Sequence, residues 1–331
     1  MFYSLKSKMM LTFSLLLVVP FLTMVFIFTD RSKNDLEEIA VTVSAQTLDQ
    51  YAVYLEMLGR QVEDIAFQVL GNKIVQEWVE ARGTADSHLS KQELYLMNAR
   101  VKEVLSQAVL NQSNVASISL HDKNGFVIGI DSVYEHVDYG ESNWQWYVTQ
   151  YGSGWLNAHL DPYQPYALKS EPVNSLLFPL VDLNTLSIEG AIKLNVHASL
   201  IQEPLSAIQY NEWNTIQLID SSGAEVNRSH FSKPQMQSSE EERIRQQILQ
   251  SHSDKGFIRE QSEDSSKYWF YHKIQSMDWT VIGVISEAEL FRGIDKTSRT
   301  MLLISVGLLI LTITAAYWIS TSMTRPLSRL S

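Results

Sequence analysis

An aromatic segment near the middle of the chain carries the side chains best suited to holding a small molecule. Its rings include Tyr134, Tyr139, Trp144, Trp146, Tyr147, Trp155, Tyr163 and Tyr166. Indole and phenol rings offer a flat apolar face with a polar edge, which suits stacking on a sugar or another small amphipathic molecule. We predict that Trp146 and Tyr147 form pocket walls, together with Trp144, Tyr163 and Asp161. The alternative for any of these rings is a place in the core of a small module.

Other kinds of chemistry find little support in the sequence. The oxygen and nitrogen donors Asp131, His136, Asp138 and Glu141 share one segment, but their spacing matches no specific metal site. Neither G-x-S-x-G nor H-E-x-x-H occurs. The chain has no Cys, which excludes disulfides, thiolate metal sites and a Cys nucleophile. We therefore expect no catalytic residue, no metal and no cofactor.

Hydrophobic periodicity predicts a helical first part followed by two strand-rich modules. Apolar residues at alternating steps of four and three form a helical seam, namely Tyr51, Leu55, Leu58, Val62, Ile65 and Val69. This seam serves as a dimer contact, as the backing of a domain core, or as a mixture of the two. Two strand–turn–strand patterns follow, with turns at 122–125 and 221–223. Their recurrence predicts an α+β fold with a helical stalk at 30–112 and modules at 113–205 and 206–290.

Two apolar segments of about 20 residues, 9–28 and 301–319, have the length and composition of membrane-spanning helices. Lys and Arg in the tails 1–8 and 320–331 place both termini in the cytoplasm by the positive-inside rule. Residues 30–298 are then extracellular, on a protein of the cell membrane in contact with the lipid bilayer. The net charge of −11 argues against nucleic acid as a partner.

The order of these elements resembles the double Cache sensor of bacterial receptors. The opening residues 4–13, with Pro20 inside the first apolar segment, are similar to the start of YesM-type sensor histidine kinases. The ending Thr324-Arg325-Pro326-Leu327-Ser328-Arg329-Leu330 resembles the first turns of a HAMP linker. The resemblance implies a long N-terminal helix carrying two tandem PAS-like antiparallel-sheet modules. It also implies a ligand pocket in the membrane-distal module, and a homodimer.

The resemblance carries an expectation for individual pocket residues. Cache domains that bind amino acids have an Arg-x-Trp-Tyr motif and an Asp on a later strand. Trp146 and Tyr147 match the aromatic pair, whereas Trp144 stands at the Arg position and Asn195 at the Asp position. Without these two charges the pocket lacks a clamp for a carboxylate and an ammonium group. We therefore predict a small neutral polar ligand, for example a carbohydrate, in contact with Asn195.

The resemblance implies an intact protein that continues into a full HAMP linker, a phospho-accepting His helix and an ATP-binding domain. Such a protein would act on a response regulator through that cytoplasmic half. All eight His lie in the outer segment and no P-loop signature occurs, so we expect no kinase activity from the residues present. The chain is then the ligand-sensing and transmembrane-signalling part of a two-component sensor histidine kinase, as a fragment or a truncated gene product. The alternatives are the ligand-binding half of a methyl-accepting chemotaxis receptor, and a membrane-anchored solute-binding or adhesion module without signal output.

Overall fold

The fold is α+β, with a long N-terminal helix and two antiparallel sheets, as the sequence predicts. This computed structural model describes residues 5–83, 90–135, 148, 152–212, 215–227, 239–261, 266–287, 300, 303–311, 313–315 and 317–318. The chain divides into two compact units. The larger unit comprises Ala45–Glu260 and Tyr268–Ile285, and the other Met1–Ser44, Gln261–Lys267 and Ser286–Ser331. Within the described ranges, no helix combines the length and the apolar character that crossing a membrane requires.

The helices begin and end close to the positions that local signals indicate. They are α1 (Leu5–Leu70), α2 (Lys73–Gly83), α3 (Lys91–Leu110), α4 (Ala198–Glu212) and α5 (Ser239–Gln250). The sequence predicts that the first helix continues to a break at Gly83, but α1 ends at Leu70, and the Asn72 side chain accepts from the Ile74 backbone N–H at 2.9 Å and caps α2. Ser90 and Glu93 form a reciprocal capping box at the start of α3.

The predicted helical seam of α1 forms part of the core of the larger unit. All of its members are buried, with Leu55 and Val62 fully so. On the same helix the hydroxyl of Tyr51 donates to the Ile201 carbonyl of α4 at 2.8 Å. The choice between a dimer contact and a core backing is thus settled for this seam, because these side chains are already covered within one chain.

The first sheet has six antiparallel strands in the order β3-β2-β1-β6-β5-β4. They are β1 (Ser117–Asp122), β2 (Val127–Gly129), β3 (Val133–Tyr134), β4 (Gly154–His159), β5 (Val173–Val181) and β6 (Ile188–His197). The turn at 122–125 predicts β1 and β2, and strand-like runs at 175–181 and 188–196 predict β5 and β6, whereas the sequence predicts a loop for the aromatic segment 134–166. Strand β4 lies in that segment because it pairs with β5, which follows it in the chain, with Trp155 opposite Leu176.

The second sheet has four antiparallel strands in the order β7-β10-β9-β8. They are β7 (Thr215–Asp220), β8 (Lys255–Glu260), β9 (Lys267–Ile274) and β10 (Trp279–Ser286). Apolar residues of α5 and of one sheet face form its core, namely Ile219, Ile244, Ile248, Trp269, Tyr271 and Ile282. The turn after β7 contains Gly223 at φ +86°, a backbone conformation that favours glycine.

Strand β4 connects the two sheets within the larger unit. Its Trp155 ring meets the Trp279 ring of β10 edge to face, with centroids 5.5 Å apart. Two residues on, the Asn157 amide donates to the Asp220 carboxylate at 2.6 Å. The Ala158 backbone N–H donates to the Val226 carbonyl at 2.8 Å. One strand therefore pairs with the first sheet and contacts the second.

Candidate functional site

The first sheet buries both of its faces, but with opposite chemistry. On β6, Ile192 and Leu194 point to the apolar face, where Phe178 of β5 packs against Phe67 of α1 with ring centroids 4.8 Å apart. Successive strand residues point to opposite faces, so Lys193 and Asn195 lie on the other side.

This other side, which we call the polar face, carries hydrogen-bonding and charged groups where a core would carry apolar ones. Its members are Ser117, Ser119, His121, Ser175, Lys193 and Asn195. Strand register places Ser117 and Ser175 on either side of Asn195, and Ser119 opposite Lys193. All six are buried. A buried group of polar side chains is uncommon in a folded domain, which makes this face the candidate binding site.

Asn195 is the central hydrogen-bonding group of the polar face. Its amide nitrogen donates to the Ser117 hydroxyl at 2.9 Å and to the Asp161 carboxylate at 2.5 Å. Its carbonyl oxygen accepts from the Ser175 hydroxyl at 2.5 Å. Asp161 comes from the loop that joins β4 to β5, so this network attaches that loop to the centre of the sheet.

A buried ion pair completes the attachment of the loop. Lys193 Nζ lies 3.1 Å from Asp161 Oδ1, and the Asp161 side chain is fully shielded from solvent. Burial alone would raise the pKa of Asp161, but the ammonium of Lys193, the amide of Asn195 and the Tyr163 backbone N–H together lower it below its usual value. Asp161 is therefore ionised at neutral pH.

Three ring-bearing residues lie beside this pair. His121 Nε2 is 2.9 Å from the Ser119 hydroxyl, and its ring meets Tyr163 edge to face at 5.2 Å. Burial lowers the pKa of His121 to about 3, with the charge of Lys193 adding to the effect. His159, 3.4 Å from the Ser175 hydroxyl, has its pKa lowered by the same two causes. Both imidazoles are therefore neutral at neutral pH.

An apolar wall adjoins the polar face. It consists of Val148, Leu177 and Ala191, with Leu156 packed against them. Ala191 lies two residues before Lys193 on β6, and Leu177 is directly opposite Lys193 on β5. The site thus combines a charged and hydroxyl-rich part with a short hydrophobic part, as small-molecule sites commonly do.

The structure brings three of the six predicted site residues together. Asp161, Tyr163 and Asn195 lie within one network of contacts. Trp144, Trp146 and Tyr147 lie outside the described residues, as do His136, Asp138 and Glu141. The part that is described contains no cluster of three His, Asp or Glu able to hold a metal.

Sequence reasoning missed Lys193, His121, His159 and the three serines. The signal was present as period-two alternation in Ser117-Ile118-Ser119-Leu120-His121 and in Lys193-Leu194-Asn195. Such alternation usually indicates a strand with one face in solvent. Here the loop after β4 covers that face, and only the tertiary structure reveals this cover.

Comparison with known proteins supports the fold assignment. No protein-family model and no curated protein matches the chain. Among solved structures, the ligand-binding domain of the Campylobacter jejuni chemoreceptor Tlp3 in complex with L-norvaline has a TM-score of 0.53 at 12% identity, covering 77% of this chain and 94% of that one. The extracellular domain of soHK1S-Z6, described as a histidine kinase, has a TM-score of 0.52 at 14% identity, and the match covers 79% of this chain and 99% of that domain. At these identities the likeness shows the fold alone. The chain has the fold of receptor sensor domains, as the resemblance to double Cache sensors implies.

Proposed function

We propose that the larger unit is an extracellular sensor that binds a small molecule on the polar face of its first sheet. The observation that carries this proposal is the buried arrangement of Lys193, Asp161 and Asn195 beside an apolar wall. A purely structural core at this position would need no ammonium group and no row of hydroxyls. The fold shared with receptor ligand-binding domains supports the same reading.

The proposed pocket includes the aromatic residues Trp144, Trp146 and Tyr147. Support comes from Val148, the residue directly after this pair, which packs against Leu177 and Ala191 beside the polar face. From the missing Arg and Asp alone, the ligand expected for this pocket is a neutral polar molecule, for example a carbohydrate.

The proposed signalling role extends to the whole chain. Segments 9–28 and 301–319 would span the bilayer, with both tails in the cytoplasm and the start of a HAMP linker after the second span. The intact protein would be a homodimeric sensor histidine kinase of the YesM type, to which its N-terminal residues are similar. A chemotaxis receptor is the second candidate, since a chemoreceptor domain and a kinase domain match the fold about equally well, with TM-scores of 0.53 and 0.52.

Strand β4 offers a route from the ligand site to the second sheet. Asp161 follows it directly, while its Trp155 and Asn157 contact Trp279 and Asp220. A ligand that prefers one position of Asp161 would shift the balance between two packings of β4 by no more than that preference. The contacts of β4 with β7 and β10 would then carry the change to the sheet that precedes the second apolar segment.

A thermal-shift screen of the intact chain in detergent micelles tests the binding proposal. Sugars, amino acids and small organic acids are each added at saturating concentration, and a true ligand raises the melting temperature by mass action. We expect Trp146→Ala to reduce this rise and Tyr166→Ala, which alters a side chain that is 88% exposed, to leave it unchanged. If no compound of any class raises the melting temperature, the sensing proposal is wrong.

The output proposal has its own test. The genomic coding sequence after Ser331 should encode a phospho-accepting His helix and an ATP-binding domain. A long methylated coiled coil there would favour the chemotaxis receptor instead. A native protein whose measured mass equals that of the 331 residues would support a membrane-anchored module without signal output.

A further inference from the structure

The ammonium group of Lys193 is incompletely bonded. Its side chain is only 10% exposed, and among the described residues Asp161 is its one hydrogen-bond or ion-pair partner. An ammonium carries three N–H donors, so two remain available on the polar face. Burying such donors without acceptors is unfavourable, which indicates that something else supplies acceptor atoms in this site.

Asp161, by contrast, is already engaged by three donor groups of the chain itself. Its carboxylate accepts from Lys193 Nζ, from the Asn195 amide and from the Tyr163 backbone N–H at 3.1 Å. Glu171, the other carboxylate of the loop between β4 and β5, pairs with His197 at 3.0 Å. A ligand's ammonium group would therefore meet Lys193 without an unengaged carboxylate from this loop to balance it.

The electrostatic balance at this site also favours a negatively charged ligand. Burial lowers the pKa of Lys193 even though the charge of Asp161 opposes the shift. Burial and the charge of Lys193 lower the pKa values of His121 and His159 as well. All three basic groups therefore lose their protons more readily than they would in water. The single negative charge of Asp161 does not fully offset the causes that lower their pKa values.

We propose that the ligand of the polar face presents a carboxylate to Lys193 Nζ and carries no ammonium group. It is a small organic-acid anion whose hydrocarbon part lies on the wall formed by Val148, Leu156, Leu177 and Ala191. This inference rests on the proposed sensing function and replaces the neutral ligand predicted from sequence. That prediction considered only the two motif positions, whereas Lys193 supplies a cation from a strand position outside the motif.

Matched compounds test the inference on the intact chain in detergent. Each set contains a carboxylate, its methyl ester and the α-amino acid with the same carbon skeleton: acetate with glycine, propionate with alanine, isovalerate with valine, and succinate with aspartate. Glucose, ribose and maltose represent neutral carbohydrates. We expect at least one carboxylate to bind about tenfold more tightly, or better, than its ester and its amino acid. Titration calorimetry measures these affinities.

Variants link the affinity to Lys193. Lys193→Met alone leaves Asp161 buried without its cation and risks misfolding, so the test uses Lys193→Met together with Asp161→Asn. This double variant keeps the site neutral and should lose about tenfold or more of the carboxylate affinity while retaining a cooperative thermal transition. Lys123→Met, which changes a lysine paired with Glu189 in the turn after β1, is the matched control and should keep the affinity.

The outcomes separate this inference from the proposed function. Tighter binding of the amino acids, or binding of the sugars alone, would overturn the carboxylate inference and leave the sensing proposal intact. Carboxylate binding that survives in the double variant would overturn the role of Lys193. If none of these compounds binds, the carboxylate inference fails, and the broader screen then decides whether sensing fails with it.

Discussion

At the scale of single residues, the polar face depends on Asn195 because one amide there serves three partners. It donates to Ser117 and Asp161 and accepts from Ser175, all within a buried environment. A shape-matched apolar side chain would leave each of these partners without its bond. Removing one partner of a buried hydrogen bond lowers the free energy of unfolding by about 1–3 kcal/mol, and by more when the group left without a partner is charged.

We therefore expect Asn195→Leu to lower the free energy of unfolding by at least about 2 kcal/mol. Urea denaturation of the intact chain in detergent, followed by tryptophan fluorescence, measures the change. Asn184→Leu is the matched control, since Asn184 is exposed in the turn between β5 and β6 and its backbone bond to Asp182 would remain. Equal effects of the two substitutions would contradict a central role for Asn195.

His121 makes a separate prediction about pH. Burial lowers its pKa to about 3 from the ordinary value of 6.5. Between these values the unfolded chain binds a proton that the folded chain does not, so the free energy of unfolding falls as the pH drops from about 6.5 towards 3. His159 has a lowered pKa and contributes in the same direction, and Asp161 adds a further loss only at lower pH.

Replacing the titrating ring isolates its share of this pH dependence. His121→Gln keeps a hydrogen-bonding partner for Ser119 and removes the ionisation. We expect the difference in urea-unfolding free energy between about pH 7 and about pH 4.5 to be smaller in this variant than in the parent chain. His252→Gln, at an exposed position before β8, serves as control. An unchanged difference in His121→Gln would show that His121 is not the buried base inferred here.

At the scale of elements, α1 approaches the turn between β9 and β10 so closely that only glycine fits at residue 59. A Cβ there would overlap the side chains of Ser276 and Met277. The approach is held by Glu56, whose carboxylate accepts from the Ser276 backbone N–H at 3.0 Å and from its hydroxyl at 3.1 Å. A glycine within a helix costs about 1 kcal/mol relative to alanine, so the close contact must offset that loss.

Gly59→Ala should therefore destabilise the larger unit despite the better helix propensity of alanine. Overpacking of this kind costs about 1–3 kcal/mol. Combining it with Ser276→Gly removes the atoms that the new Cβ meets, and we expect a favourable coupling energy of about 0.5–3 kcal/mol in a double-mutant cycle. Urea denaturation of the four chains measures the cycle. Additive effects, or a net gain from Gly59→Ala alone, would refute the close approach.

The elements also show which parts of the structure local sequence can predict. Turn residues flank β1, β2, β5 and β6 of the first sheet, and polar and apolar residues alternate in β1 and along Lys193-Leu194-Asn195 of β6, so the positions of these strands follow from the sequence. Strand β4 forms because β5, which follows it in the chain, supplies its hydrogen bonds. The candidate site divides in the same way: Asp161 and Asn195 were predicted, whereas Lys193 becomes a site residue only because a distant loop covers its face.

At the scale of the whole molecule, the proposed topology places residues 30–298 outside the cell and both tails inside. Support comes from the sequence, through the two apolar segments and the basic residues in the tails. The absence of Cys from the chain makes labelling of single introduced thiols a clean test, because the parent protein gives no background. The reporter positions must be tolerant of substitution, and Ala99 on the exposed side of α3 meets this condition.

We expect Ala99→Cys to react with a membrane-impermeant maleimide in intact cells. Ser7→Cys and Ser328→Cys, in the two tails, should react only after the cells are permeabilised, since the bilayer excludes the charged reagent. Reaction of all three in intact cells would show that the tails are not cytoplasmic. Labelling of Ser328→Cys alone among the tails would mean that only one segment spans the membrane. In that case a displacement of β9 and β10 would have no second span through which to reach a cytoplasmic domain, and the proposed signalling mechanism would fail even if the ligand site were correct.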